Sequence, residues 1–227
     1  MRPRVLARLG WMIHKDLVTE WRARRAWPAM LLLGIVVAAL FSLQADLAPS
    51  EKHAVASSLL WVAIFFAGMV AIERSFAAER EEGCWDALLL YPIPPGLIYL
   101  AKLLANVVAL GVLQCVLIPL FAVLADVPLA VHPWALILVA ALGNLGIAAV
   151  GTLLSALSAG LRQKGSLLVL LVLPLAVPVL LAASEATRLA GEDGLGAAWW
   201  RWVQLLAAFA LAFSVAGTLL IDVAVED

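Results

Sequence analysis

Long apolar runs separated by short charged segments organise this chain. Six windows are almost free of charge: Trp27–Gln44, Ala54–Ile72, Leu103–Ala125, Trp134–Leu157, Ser166–Ala183 and Trp202–Ala224. A helix needs about 20 mostly apolar residues to cross about 30 Å of hydrocarbon. The runs are continuous rather than alternating, which argues against strands of a transmembrane barrel. In lipid each segment must satisfy its own backbone, so each window is expected to be a membrane-spanning helix. The expectation is an all-α membrane protein, one transmembrane domain over residues 1–227.

The residues ahead of the first window follow a different pattern. Val5, Leu9, Met12, Ile13 and Leu17 recur at helical spacing, with Arg4, Arg8, Lys15 and Arg22 on the opposite side. This predicts an amphipathic helix over residues 1–26, lying in the membrane interface with its basic face toward anionic headgroups. Asp16 and Glu20 fall on the apolar side, where a carboxylate is expected to face protein rather than acyl chains. The apolar run that follows is longer than the roughly 7–15 residues of a cleavable signal, so the first span is expected to be retained.

Composition supports the lipid reading. The chain has 227 residues, 65% of them hydrophobic and 14% charged. Soluble domains carry about 45–50% apolar and about 25% charged residues, and no single core of this size could hide the excess. The net charge of −1 gives no basic excess for nucleic acid. Where the cations sit is more informative. Arg2, Arg4, Arg8, Lys15, Arg22, Arg24 and Arg25 precede the first span. Arg74, Arg80 and Lys102 lie between spans two and three, and Arg162 and Lys164 between four and five. The opposite side holds Lys52, Arg188 and Arg201. By the positive-inside rule both termini are cytoplasmic.

The segment 73–102, ERSFAAEREEGCWDALLLYPIPPGLIYLAK, is the most distinctive stretch. Glu79, Arg80, Glu81 and Glu82 are followed by the apolar run Trp85–Tyr91, with Asp86 and Leu89 inside it, and then by Pro92, Pro94, Pro95 and Gly96. Proline disfavours helix at the residue before it, so the stretch divides into short elements. A short amphipathic helix in a charged cytoplasmic loop is a docking element for a cytoplasmic partner. Glu73 and Arg74 stand at the membrane edge, where charges pair or face a bundle interior.

Other chemistry is sparse. Gly160-Leu161-Arg162-Gln163-Lys164-Gly165-Ser166 lacks the lysine that a phosphate-binding loop places after its second glycine. His14, His53 and His132 are scattered without metal-ligand spacing. Cys84 and Cys115 read as packing residues. Trp199, Trp200 and Trp202 read as an aromatic belt at the membrane–water boundary. Asn106, Gln114 and Asn144 read as interhelical glue. Two small-residue ladders in span four, Gly151-Ser155-Ala159 and Ala148-Thr152-Ala156-Gly160, allow close helix packing, either within the chain or between two copies. Neither a catalytic group nor a bound cofactor or metal is read from the sequence.

Together these features resemble the permease subunit of type-2 ABC exporters (the ABC-2 superfamily), in which a cytoplasmic coupling helix joins spans two and three. A narrower resemblance, to the CcmB family (haem exporter protein B of cytochrome c maturation), rests on particular residues. They are Lys15-Asp16-Leu17 with Glu20 and Arg22, Leu59–Gly68, Glu73-Arg74-Ser75-Phe76, Gly151–Leu157 and Glu185-Ala186-Thr187. That resemblance implies a subunit of a bacterial inner-membrane ABC transporter, present in two copies and hydrolysing no ATP itself. ATP would be bound and hydrolysed on a CcmA-type ATPase, contacted by Glu79, Arg80, Glu81, Glu82, Trp85, Asp86 and Leu89. Haem would belong to the partners: CcmC, CcmD and the chaperone CcmE. The cycle would release haem-loaded CcmE from CcmC and CcmD, or export haem. Two other readings remain at this stage: a generic ABC-2 permease for a lipid, glycan or drug, and a stand-alone haem-handling enzyme or structural scaffold.

Overall fold

The computed structural model describes residues 10–15, 18, 26–42, 48–81, 94–126, 131–159, 166–191 and 195–226. Among them, six long helices carry the architecture: α1 (Ala26–Ser42), α2 (Pro49–Glu81), α3 (Pro95–Ala125), α4 (Pro133–Ala159), α5 (Ser166–Ala190) and α6 (Ala197–Glu226). Residues 10–15 are also helical, and the described residues contain no strand. Five of the six helices, α2 to α6, are long and apolar enough to span a bilayer. In α1 the apolar stretch is shorter, Pro28–Ser42. The chain is thus an all-helical, multi-pass membrane protein.

The helices overrun the windows read from hydropathy. The second was expected to stop at residue 72 and runs to Glu81; the third was expected from residue 103 and begins at Pro95. The fifth and sixth are also longer, reaching Ala190 and starting at Ala197. The segment 73–102 is therefore helical at both ends rather than a loop throughout. Hydropathy marks where lipid ends, whereas Ala, Glu and Arg continue a helix readily in water. At the start of α3, Pro95 sits in the first turn, where its missing N–H leaves no donor unsatisfied, and the Leu97 amide donates to the Pro94 carbonyl at 2.9 Å.

α2 and α4 form the centre. Two thirds of each of their spanning windows is buried (67%), against 22% for α6. Around them α1 packs on α2 and α3, α5 on α2, α4 and α6, and α6 on α3, α4 and α5. Close approaches give the directions. Asn106 and Gln114, eight residues apart on α3, meet Thr152 and Asn144, eight apart on α4 in the reverse order. These helices are antiparallel. On α2 and α4 the order is the same, Trp61 meeting Gly143 and Ile72 meeting Gly151, so they run parallel.

Glycine makes two of these approaches possible. A Cβ at Gly143 would overlap the Trp61 indole, and one at Gly151 would lie 2.9 Å from Ile72 Cγ2. Ala148, Gly151, Thr152, Ser155 and Ala156 are all buried within this one chain. The small-residue ladders of α4 thus serve intramolecular packing at these positions.

The outer surface is apolar. α3 exposes Leu104, Val108, Val112 and Val116 at every fourth position, and α6 exposes Leu205, Leu211, Val215 and Leu219. Cys115 also lies on the outward face of α3, rather than packing inside. Such faces suit hydrocarbon, not water.

Replacing Gly143 with Val should drive a branched side chain into the Trp61 indole and destabilise the bundle by about 1–3 kcal/mol. Gly111→Ala should be neutral or stabilising, because nothing lies within 4 Å of the added methyl and Ala favours helix by about 1 kcal/mol over Gly. Thermal unfolding of the purified protein in detergent checks both. Equal melting points for the two variants would contradict this packing.

Candidate coupling site

The C-terminal end of α2 and the N-terminal end of α3 frame the candidate site. Glu79, Arg80 and Glu81 belong to the last turns of α2, and Glu73 and Arg74 to the same continuous helix, with Glu73 half-buried. Glu82, Trp85, Asp86 and Leu89 lie outside the described residues. Of the expected interfacial helix, Lys15 sits exposed at the end of the helical stretch 10–15; Asp16, Glu20 and Arg22 lie outside the described residues.

What the structure adds is how this end of the molecule is tied down. Tyr99, one turn into α3, is completely buried. Its hydroxyl lies 3.0 Å from the Ala149 carbonyl of α4 and 3.4 Å from the Phe213 carbonyl of α6. Its ring rests on Gly217, where no Cβ would fit, and Gly96 brings the first turn of α3 against the backbone of α6 at Thr218. Lys102, one turn further, is buried too. On the neighbouring seam the Ser155 hydroxyl donates to the Ile72 carbonyl at 3.2 Å, joining α4 to the C-terminal half of α2.

Deeper in the bundle two side-chain rungs hold α3 to α4. Asn106 Nδ2 donates to Thr152 Oγ1 and Asn144 Nδ2 to Gln114 Oε1, both at 2.9 Å. The rungs are about 12 Å apart along the helices, from a rise of about 1.5 Å per residue. All four side chains are buried. The reading of Asn106, Gln114 and Asn144 as glue thus has its bonds.

Toward the other end, Trp61 Nε1 donates to Thr187 Oγ1 at 2.9 Å, linking α2 to α5. Thr187 and the ion pair Arg188–Glu185, at 2.9 Å, fall within the last turns of α5. His53 is buried on α2, and His132 is half-buried just before α4. The aromatic-belt expectation needs correcting for Trp199. It is 1% exposed, packed edge-on against Trp134 and Trp200 with ring centroids 5.4 and 4.9 Å away. Burial between α4 and its own helix outweighs the interfacial preference there. Trp200 and Trp134 remain half-exposed, as a belt requires, whereas Trp202 packs partly against the core.

Sequence reasoning passed over Tyr99 and the Trp61–Thr187 link. The available signal was a phenol hydroxyl and an indole N–H inside apolar runs, since buried Tyr and Trp usually find acceptors.

The Asn106–Thr152 rung can be weighed by a double-mutant cycle with Asn106→Leu and Thr152→Val. Coupling of about 0.6 kcal/mol, and at most about 1.7, is expected for such a bond in a membrane protein. Unfolding free energies in mixed micelles give the cycle; no coupling would mean the pair does not interact.

Comparison with known proteins gives the chain its family. The family model for CcmB protein matches residues 8–226. A protein named Heme exporter protein B from Pseudomonas aeruginosa is 32% identical over 196 residues, 85% of this chain and 87% of that protein. Its namesake from Paracoccus denitrificans is 30% identical over 214 residues, 93% of this chain and 98% of that protein. Another, from Rhodobacter capsulatus, is 37% identical over 141 residues, 62% of this chain and 64% of that protein. With a family match running through all six helices, this chain belongs to the CcmB family.

Proposed function

We propose that this chain is the permease subunit of a haem-export ABC transporter of the bacterial inner membrane, working with a separate CcmA-type ATPase. It couples ATP hydrolysis on that partner to release of the haem-loaded chaperone CcmE from CcmC and CcmD. The observation that carries the reading is membership of a family whose relatives bear the name Heme exporter protein B. Two long helices, α2 and α3, leave the spanning region on the side of highest positive charge and flank residues 82–94.

On this reading all six helices cross the membrane, α1 included. Its 17 residues are near the lower limit for a span. Their packing beside α2 and α3 supports a crossing, and so does the cluster of seven basic residues ahead of it. Both termini are then cytoplasmic, and two copies serve one ATPase dimer. Nucleotide-driven closure of that dimer pushes on the segment after Glu81. Helices are stiff along their axes, so the push reaches the far end of the bundle through α2 and α3. The chain needs no catalytic group for this role.

Reversing the charge at Glu81 and removing the indole at Trp85 (E81K with W85A) should abolish co-purification of the ATPase while leaving membrane insertion and recovery of CcmC intact. Affinity capture from solubilised membranes, followed by identification of the captured chains, makes the test. Undiminished ATPase recovery would sink the docking assignment; capture of an unrelated ATPase without CcmC would favour a generic exporter.

A further inference from the structure

We infer that Tyr99 is the positioning residue through which the first turn of α3 passes displacement to α4 and α6. This rests on the coupling reading above and names where in the fold the transmission occurs. Three observations carry it. First, α3 begins abruptly at Pro95 after Pro94, so Tyr99 lies one turn from the segment that the ATPase would push. Second, the side chain is fully buried, its ring on Gly217 and its hydroxyl within reach of carbonyls on two different helices, Ala149 at 3.0 Å and Phe213 at 3.4 Å. Third, a phenol carries one proton and can serve only one acceptor fully at a time. In this conformation the shorter bond goes to α4. A shift of the first turn by a few tenths of an ångström toward α6 would transfer it to Phe213.

The hydroxyl is thus a donor with two competing acceptors on separate helices. Coupling between distant sites requires an element with two arrangements that both sites can bias. Further along α3, the Asn106–Thr152 and Asn144–Gln114 bonds each run between α3 and α4. Displacement of the first turn is partitioned between α4 and α6 at Tyr99; beyond it, α3 and α4 move together.

The test uses the complete complex, comparing Tyr99→Phe with Thr152→Val. Three quantities are read: ATPase recovered with the permease, rate of ATP hydrolysis, and rate of chaperone release. The Phe variant keeps the ring on Gly217 and loses only the hydroxyl. It should retain ATPase recovery and hydrolysis while release falls roughly three- to tenfold, the shift in a two-state equilibrium expected from one buried hydrogen bond. The Val variant removes a bond from the same α3–α4 seam and should leave the ratio of release to hydrolysis unchanged. An unchanged ratio in Tyr99→Phe, or an equal fall in both variants, overturns the inference. Should the Phe variant fail to accumulate, a reversible cross-link decides. In a chain with Cys84 and Cys115 replaced by Ala, Gly96→Cys and Thr218→Cys would tie the first turn of α3 to α6. Release should stop on cross-linking and return on reduction; release that continues in the cross-linked complex overturns the inference. If wild-type permease recovers no ATPase, the coupling reading fails, and this inference with it. If the ATPase is recovered and active but Tyr99→Phe behaves as wild type, this inference fails alone.

Discussion

In hydrocarbon, apolar side chains gain little by leaving lipid for one another, so hydrogen bonds and close packing decide which helices associate. The bonds between α3 and α4 meet that requirement along much of the interface. Asn106–Thr152 and Asn144–Gln114 fix the register, since a slip of one residue would leave four buried polar side chains without these partners. Tyr99 extends the same seam toward the start of α3 by reaching the α4 backbone, and Ser155 carries it sideways to α2. The central position of α4 follows. It is the helix that offers polar or small residues on several faces, to α2 through Gly143, Gly151 and Ser155, and to α3 through Asn144 and Thr152.

Much of this was legible in the sequence, because lipid leaves the chain few alternatives. Uncharged runs such as Leu103–Ala125 can only be helices, and the amides inside them can only face protein. Helix ends were less legible. Hydropathy falls at Glu73 and again before Leu103, yet α2 continues to Glu81 and α3 starts at Pro95. Nothing in Ser75-Phe76-Ala77-Ala78-Glu79 breaks a helix, whereas Pro94-Pro95 sets a start. Reading propensity alongside hydropathy would have placed both ends. The partners of Trp61 and Tyr99 were illegible for another reason. Thr187 is 126 positions from Trp61 and Phe213 is 114 from Tyr99, and no local pattern encodes contacts at such separations. Of the candidate site, the family resemblance gave the segment, and the structure gave the anchor behind it.

The prolines fit the same division between a bonded interior and an apolar exterior. Pro119 in α3 and Pro174 and Pro178 in α5 all lie on exposed positions, and both helices continue through them. Each removes one backbone hydrogen bond from its helix. On the outward side the loss does not interrupt the interhelical contacts of the core. α5 therefore carries two such interruptions within a turn or so of each other, whereas α4 has proline only at its first position.

That contrast bears on how a push at one end could become a change at the other. A bundle bonded evenly throughout would move as one block and alter nothing on its far surface. Here α2, α3 and α4 are joined by side-chain hydrogen bonds at several levels. α5 is held to α2 by Trp61–Thr187 near the end remote from the candidate site, and its proline-interrupted middle packs through apolar contacts such as Val179 on Gly146. On the coupling reading proposed above, a displacement carried rigidly by the first group would meet α5 at Thr187, in the turn that also holds the Arg188–Glu185 pair, as well as along its packing on α4 and α6. The hydrogen bond by which the bonded group meets the interrupted helix is thus at the end of the bundle remote from the candidate site. On that reading, axial movement of α2 would be passed to α5 at this end through the Trp61–Thr187 bond.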